Sequence, residues 1–191
     1  MNGNQLRAFV ALMPDDASRD ALHALPVAHG ARRTQVAQLH VTLAFLGAVD
    51  RDKCDLLAAR LAGLAVALPP QRVERLAWWP SMPRARLIVA ELAAEPALAA
   101  LNDALTQTLV DIGLPVDRRP FRPHVTLARL PRDAVGQPAH GGMLRAPPAL
   151  RCDMITLFES LLSHQGAQHR PIVSVPVAML DDPAAGAANC G

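Results

Sequence analysis

The tetrapeptide His-Val-Thr-Leu occurs twice in the chain, at His40–Leu43 and again at His124–Leu127. Each copy stands in a longer apolar run, which is typical of a partly buried strand. Side chains alternate between the two faces of a strand, so the His and the Thr of each copy point the same way. The intervening Val41 and Val125 point to the opposite face, where they can enter a core. Each copy is therefore predicted to be a strand that presents one imidazole and one hydroxyl on a common surface.

The two tetrapeptides close two similar stretches of sequence. In the first stretch, Arg7–Leu12 is followed by a predicted helix and then by the first copy of the tetrapeptide. In the second stretch, Arg86–Leu92 is followed by another predicted helix and then by the second copy. Two such units related by a pseudo-two-fold axis would bring the two His strands together in the middle. We therefore predict one bilobal domain over residues 1–180, with internal repeats at about 6–80 and 84–178, and a disordered tail at 181–191.

Hydrophobic periodicity and breaker residues predict the individual elements. Helices are expected from Asp15 or Asp16 to about Leu25, from Asp50 to about Leu64, and from Pro96 to a stop at Gly113. The predicted strands are residues 7–12, 39–46 (ending at Gly47), 72–79, 84–92, 123–130, 151–160 and 171–177, the last two forming an antiparallel pair. Residues 26–38 and 131–148 are predicted to be loops.

Composition narrows the class of protein. The chain has 191 residues, 51% of them hydrophobic, and a formal net charge of +2, which is too small to indicate bulk binding to a nucleic-acid backbone. Its cysteines, Cys54, Cys152 and Cys190, form no CxxC pair, which argues against a disulfide framework. No signal-peptide core and no apolar run of about 20 residues is present. We expect a cytoplasmic, monomeric protein without a membrane segment.

A pair of imidazoles suits a reaction that needs a general base and a general acid together. Free histidine titrates near neutrality, so one ring can be neutral while the other is protonated. A metal site is the chief chemical alternative, but neither motif supplies a third His or an inward carboxylate, so we expect no metal and no cofactor. The remaining histidines are interpreted as ordinary surface residues, with His164 or His169 able to rim a cleft. Of Trp78 and Trp79, one is expected in the core and the other is a candidate for stacking on a base.

The segments Leu39–Gly47 and Arg119–Arg129 closely resemble the two HxTx signatures of the 2H phosphoesterases. Within that superfamily the chain resembles the bacterial and archaeal RNA 2′,3′-cyclic phosphodiesterases, also called 2′-5′ RNA ligases. The resemblance runs from about Leu6 to Val177. It implies an α+β, bilobal fold, in which two pseudo-symmetric lobes of antiparallel sheet with flanking helices surround a central cleft.

The resemblance also implies roles for individual residues. His40 would be the proton donor to O3′ and His124 the proton acceptor that activates water. Thr42, Thr126 and Arg129 would bind the phosphate. Strict alternation along the second strand points Arg129 away from His124 and Thr126 unless the strand bends or ends there, so its role follows from the resemblance alone. Two positions depart from the usual pattern, Gln38 in place of Asn and Phe158 in place of Tyr.

Three functional hypotheses follow. The first is hydrolysis of 2′,3′-cyclic phosphate ends of RNA to 2′-phosphates by metal-independent, two-histidine catalysis. The second keeps the site but changes the substrate to 2′-5′ linked oligonucleotides, in hydrolysis or ligation, or to small cyclic nucleotides, including an ADP-ribose cyclic phosphate. The third is a non-catalytic nucleotide- or RNA-binding protein. The expected partners are accordingly RNA ends or small nucleotides that carry a 2′,3′-cyclic phosphate.

Overall fold

A computed structural model of the chain describes residues 4–64, 67–131, 144, 146–163 and 166–180. Three α-helices and eleven strands make up this part of the chain, and short 3₁₀ turns occupy Val36–Gln38, Ala62–Leu64 and Met82–Arg84. The helices are α1 (Asp16–Ala24), α2 (Arg51–Leu61) and α3 (Pro96–Ile112). The strands are β1 (Gln5–Pro14), β2 (Arg32–Arg33), β3 (Val41–Asp50), β4 (Ala67–Leu68), β5 (Gln71–Trp79), β6 (Leu87–Leu92), β7 (His124–Arg129), β8 (Ala149–Leu150), β9 (Cys152–Ser163), β10 (Gly166–Pro176) and β11 (Ala178–Met179).

One sheet organises the described part of the chain. Its strands follow the order β10-β9-β1-β3-β7-β6-β5-β8, with antiparallel neighbours, and β2 pairs with β7 beside this path. In each half of the sheet, the strand that opens a sequence unit pairs with the tetrapeptide strand of that unit: β1 with β3, and β6 with β7. The two tetrapeptide strands meet at the centre. This arrangement confirms the predicted α+β class with antiparallel sheet, whereas the proposed boundaries of the repeats stay a prediction.

The helices pack against one face of the sheet and close the main core. Alternation along β1 shows the two faces clearly, because Val10 and Leu12 enter that core while Phe9 and Ala11 belong to a small cluster on the other side. The apolar side of α3 is buried as predicted from its spacing of leucines. The helix ends at Gly113, which adopts the left-handed conformation (φ 71°) that glycine tolerates best.

The structure differs from the expected elements in two places that matter for the site. The segment 26–38, predicted as a loop, contains β2, which extends the sheet beside the end of β7. The strand expected to stop at Gly47 continues to Asp50, because Gly47 takes a left-handed conformation (φ 69°) inside an irregular stretch of β3. Most of the predicted loop 131–148 and the whole tail 181–191 lie outside the described residues.

Two further observations concern the described residues. None of their helices is both long and apolar enough to cross a membrane. Cys54 and Cys152 are buried and form no disulfide, and Cys190 lies outside the described part.

We expect Leu105→Ala to lower the free energy of unfolding by about 2–5 kcal/mol, since it leaves a cavity in the core. Leu105 is fully buried on α3. Val110 is 53% exposed on the same helix, so Val110→Ala is the matched control and should change stability by less than about 1 kcal/mol. Urea unfolding followed by circular dichroism measures both. Equal effects of the two substitutions would contradict the assignment of the buried face of α3.

Candidate active site

The two tetrapeptides run antiparallel to each other, the first beginning at His40, one residue before β3, and the second lying on β7. Val41 pairs with Val125, and both side chains are fully buried in the core. Continuing this register by one residue in each direction sets His40 opposite Thr126 and Thr42 opposite His124. Opposite residues share a face of the sheet. The four polar side chains therefore form a crossed pair on the face away from the helices, which we call the motif face.

Each histidine is held by the same backbone contact. Nδ1 of His40 lies 2.7 Å from the carbonyl oxygen of Gln38, and Nδ1 of His124 lies 2.8 Å from that of Arg122. A carbonyl can only accept, so Nδ1 carries the proton in both rings. Nε2 then holds the lone pair when the ring is neutral and a proton when it is charged. Both rings are thus oriented to exchange a proton through Nε2.

A β-bulge after the threonine changes which way Arg129 points. Val89 pairs with Thr126, but Ile88 pairs with Ala128, so Leu127 is an extra residue on β7. Leu127 and Ala128 are both buried, and Arg129 is exposed. The bulge shifts the alternation by one residue and returns Arg129 to the motif face. Its positive charge is accordingly felt at His40. The exception left open by the sequence analysis, a bend of the strand before Arg129, therefore applies here.

The first tetrapeptide carries the same bulge. Ala11 pairs with Thr42 and Val10 with Ala44, so Leu43 is the extra residue on β3. Phe45 is thereby placed where the second motif has Arg129, five residues after the histidine. It is 61% exposed, and its ring centroid lies 6.3 Å from that of Phe9 on the motif face. Sequence analysis did not single out Phe45, although its offset from the motif matches that of Arg129.

The surroundings of His40 are aromatic. Its ring centroid lies 5.2 Å from that of Phe9 and 5.4 Å from that of His169 on β10. Phe158 on β9 stacks on Phe9, with 5.1 Å between the ring centroids. His169, expected to be a surface residue or to rim the cleft, packs edge-on against His40. The sequence alone does not place it against His40, because the β9–β10 hairpin reaches the site through the pairing of β9 with the distant β1.

Burial lowers the pKa of His40 from 6.5 to about 4. The hydrogen bond to the carbonyl of Gln38 opposes this shift, whereas the nearby charges of His169, His124 and Arg129 add to it. Burial also lowers the pKa of His169. His40 is therefore a neutral imidazole at pH 7 in the free protein.

The surroundings of His124 contain a buried carboxylate. The ring of Trp79 lies 4.1 Å from that of His124, centroid to centroid. Glu91, 8% exposed, accepts hydrogen bonds from Trp79 Nε1 (2.7 Å), Arg75 Nε (2.6 Å) and Arg122 Nη2 (2.9 Å). Burial lowers the pKa of His124, while its bond to the Arg122 carbonyl and the charge of Glu91 act in the opposite direction. Trp79 therefore belongs to the site, and Trp78 packs against the core, which resolves the open assignment of the two tryptophans.

Within the described residues, no three His, Cys, Asp or Glu side chains come close enough together to hold a metal ion. The predicted site residues supply imidazoles, hydroxyls and a guanidinium. The predicted site residues His40, Thr42, His124, Thr126 and Arg129 thus share one face of adjacent strands.

We expect His40→Gln to flatten the dependence of stability on pH. A histidine with a pKa of 6.5 unfolded and about 4 folded binds more protons in the unfolded chain, so it destabilises the fold as pH falls from about 6.5 to about 4. The loss amounts to at most about 3 kcal/mol. Chemical denaturation of both proteins between pH 8 and pH 4 measures it. A difference in the free energy of unfolding that stays constant over this range would contradict the assignment, because a pure packing effect has no pH dependence.

Comparison with known proteins supports a family assignment. A family model described as the 2′-5′ RNA ligase superfamily matches residues 14–162. A protein of Bacillus subtilis named RNA 2′,3′-cyclic phosphodiesterase is 28% identical over 122 residues, which cover 63% of this chain and 67% of that protein. A protein of Aeropyrum pernix with the same name is 27% identical over 145 residues, covering 73% and 82% of the two chains.

Solved structures share the fold. The crystal structure of TT0787 of Thermus thermophilus superposes with a TM-score of 0.70 at 23% identity, covering 90% of this chain and 98% of that one. The match of the family model extends over most of the chain and includes both His-x-Thr motifs. The chain therefore belongs to the 2′-5′ RNA ligase superfamily of 2H phosphoesterases.

Proposed function

We propose that the chain is an RNA 2′,3′-cyclic phosphodiesterase, which converts the 2′,3′-cyclic phosphate at an RNA 3′ end to a 2′-phosphate. The observation that carries this proposal is the crossed pairing of the two motifs about Val41 and Val125. A single phosphate bound there would meet one imidazole and one hydroxyl from each of the two motifs. The name of the curated relatives in Bacillus subtilis and Aeropyrum pernix supports the same reaction.

The proposed step uses one histidine as base and one as acid. A water oxygen forms a bond to phosphorus and gives its proton to Nε2 of His124. The bond from phosphorus to O3′ breaks, and its electron pair leaves with O3′, which takes a proton from Nε2 of His40. One water is consumed, and the products are a 2′-phosphomonoester and a free 3′-hydroxyl. A proton then returns from His124 to His40 through solvent before the next turnover.

The other polar side chains of the motif face would stabilise the charge that builds on the phosphate. The hydroxyls of Thr42 and Thr126 can donate to its non-bridging oxygens, and these hydrogen bonds strengthen as the transition state forms. Arg129 adds a fixed positive charge and a fork of donors that matches phosphate geometry. The bulge at Leu127 is what makes this guanidinium available.

Binding of the substrate would favour protonation of His40, which the ring needs in order to act as an acid. In the free protein His40 is neutral at pH 7, and the positive charge of Arg129 acts on it. A cyclic phosphate brings one negative charge among these groups. An opposite charge close to an imidazole raises its pKa, so we infer that His40 takes up its proton as the phosphate binds.

We expect His40→Ala and His124→Ala each to lower kcat by about 10²–10⁴-fold, because each removes one proton-transfer group. Thr42→Ala or Thr126→Ala should lower kcat by about 10²–10³-fold if each removes one donor to the developing charge.

Phosphorus NMR of the product from 2′,3′-cyclic AMP should show a 2′-phosphate, and the assay should give the same rate in EDTA. Full activity of either His variant, or loss of activity in EDTA with recovery on adding zinc or manganese, would contradict the mechanism.

A substrate with sulfur in place of O3′ separates the two roles. A thiolate leaves without being protonated, so His40→Ala should recover much of its lost rate on the 3′-thio cyclic phosphate. His124→Ala should not, because the water must still be deprotonated. The opposite pattern would exchange the roles of the two histidines.

We expect kcat/KM for 2′,3′-cyclic AMP to be bell-shaped in pH with its maximum below pH 6.5. This parameter reports the free protein, in which burial lowers the pKa of both histidines. The profile of kcat should fall on its alkaline side at a higher pH, since the bound phosphate raises the pKa of the acid. Steady-state kinetics from pH 4 to pH 9 measures both. A kcat/KM maximum above pH 7 would contradict the protonation states assigned to the free site.

A further inference from the structure

Beside the crossed motifs lies an open cavity of about 660 Å³. Its polar side chains among the described residues are those of three arginines from three different segments. The residues that line it are Gly30, Arg32, Arg86, Arg129, Leu130 and Pro131.

The backbone brings the three arginines together. Arg32 on β2 pairs directly with Arg129 at the end of β7. On the other side of β7, the amide of Leu130 donates to the carbonyl of Arg86, with 2.9 Å between the two atoms. The amide of Thr34 also donates to the carbonyl of Leu127 (2.8 Å), which fixes the segment that carries β2. The cluster is therefore set by strand pairing and not by the flexible side chains alone.

The arrangement of charge in this cavity is typical of an anion site. Arg32 and Arg129 lie directly opposite each other on neighbouring strands, and opposite residues share a face of the sheet. Guanidinium groups bind phosphate oxygens with charge-assisted, often paired, hydrogen bonds. All three arginine residues are exposed, so such an anion can approach from solvent.

The cavity continues the site of the reaction. Arg129 lines it, and the charge of the same residue is felt at His40 and at His169. Arg129 follows Thr126 by three positions along β7, which corresponds to at most about 10 Å of extended chain. A second phosphate of the same strand can therefore reach Arg32 and Arg86 while the first lies between the histidines.

We propose that Arg32 and Arg86 form a second phosphate subsite, which binds the phosphodiester on the 5′ side of the terminal nucleoside. The inference rests on the proposed function, and it narrows the substrate to an RNA strand in preference to a free cyclic mononucleotide. Arg129 stands between the two phosphates and serves both.

Three substrates that differ in one charge test the subsite. They are 2′,3′-cyclic AMP, the dinucleotide ApA with a 2′,3′-cyclic phosphate end, and the same dinucleotide with an uncharged methylphosphonate linkage. The wild-type protein should show a kcat/KM for the charged dinucleotide about tenfold or more above those for the other two, as expected for a charge-assisted contact. The comparison uses the unaltered protein, so it does not depend on the folding of any variant.

The variants Arg32→Gln and Arg86→Gln then locate the effect. Each should lower kcat/KM for the charged dinucleotide about tenfold, leave that for 2′,3′-cyclic AMP unchanged, and reduce the salt dependence of dinucleotide turnover. Arg60→Gln, which removes the same charge from the exposed surface of α2, should leave all three substrates unaffected.

The outcomes separate the two proposals. Turnover of all three substrates at similar kcat/KM would overturn the subsite and leave the phosphodiesterase function standing. An equal loss on every substrate in Arg32→Gln and Arg86→Gln would also overturn it, since these residues would then act on the reaction itself or on the fold. If the wild-type protein turned over none of the three substrates, the proposed function itself would be overturned.

Discussion

At the centre of the sheet, Val41 and Val125 face each other across β3 and β7, and both side chains are fully buried. Because side chains alternate along a strand, a slip of one residue in this pairing would turn the histidines into the core and the valines into solvent. The hydrophobic effect on two valines thus fixes the positions of four polar side chains. The reaction proposed for the site depends on this register, since it decides that each His lies opposite the Thr of the other motif.

The sequence predicts the paired motifs and the main helices and strands because the signals for them are local. The His-x-Thr spacing, the apolar residues between and the echo of the preceding strand and helix all lie within short windows, and the helices and main strands follow from the same periodicities. Two features of the site cannot be predicted from such local signals. The bulges at Leu43 and Leu127 appear only in the pairing with β1 and β6, yet they place Phe45 and Arg129 on the motif face. Arg32 reaches the site on β2, whose partner β7 is distant in the chain. His169 lies on the β9–β10 hairpin, which reaches the site because β9 pairs with the distant β1.

The two motifs are identical, but their surroundings are not. His40 lies among Phe9, Phe158 and His169, and burial dominates its pKa. His124 lies against Trp79, which with Arg122 is tied to the buried carboxylate of Glu91. Pairs of titratable groups whose environments differ are the usual basis for dividing acid and base roles. A repeated sequence can therefore support an asymmetric reaction, because the asymmetry comes from the residues around the repeat.

The charge balance of the free site explains how such a pair can work near neutral pH. Burial keeps His40 neutral, and the fixed positive charge of Arg129 acts in the same direction. An anion at this position relieves the repulsion that a second positive charge would meet, so anion binding and protonation of His40 stabilise each other. This coupling is reciprocal by thermodynamic linkage. If bound phosphate raises the proton affinity of His40 by some factor, protonation of His40 raises the affinity for phosphate by the same factor. After the reaction, the phosphomonoester product carries up to one more negative charge than the cyclic diester. That extra charge is present only above the second pKa of a phosphomonoester, about 6, so the coupling would act on the product most strongly at a pH where the dianion and a protonated His40 can coexist.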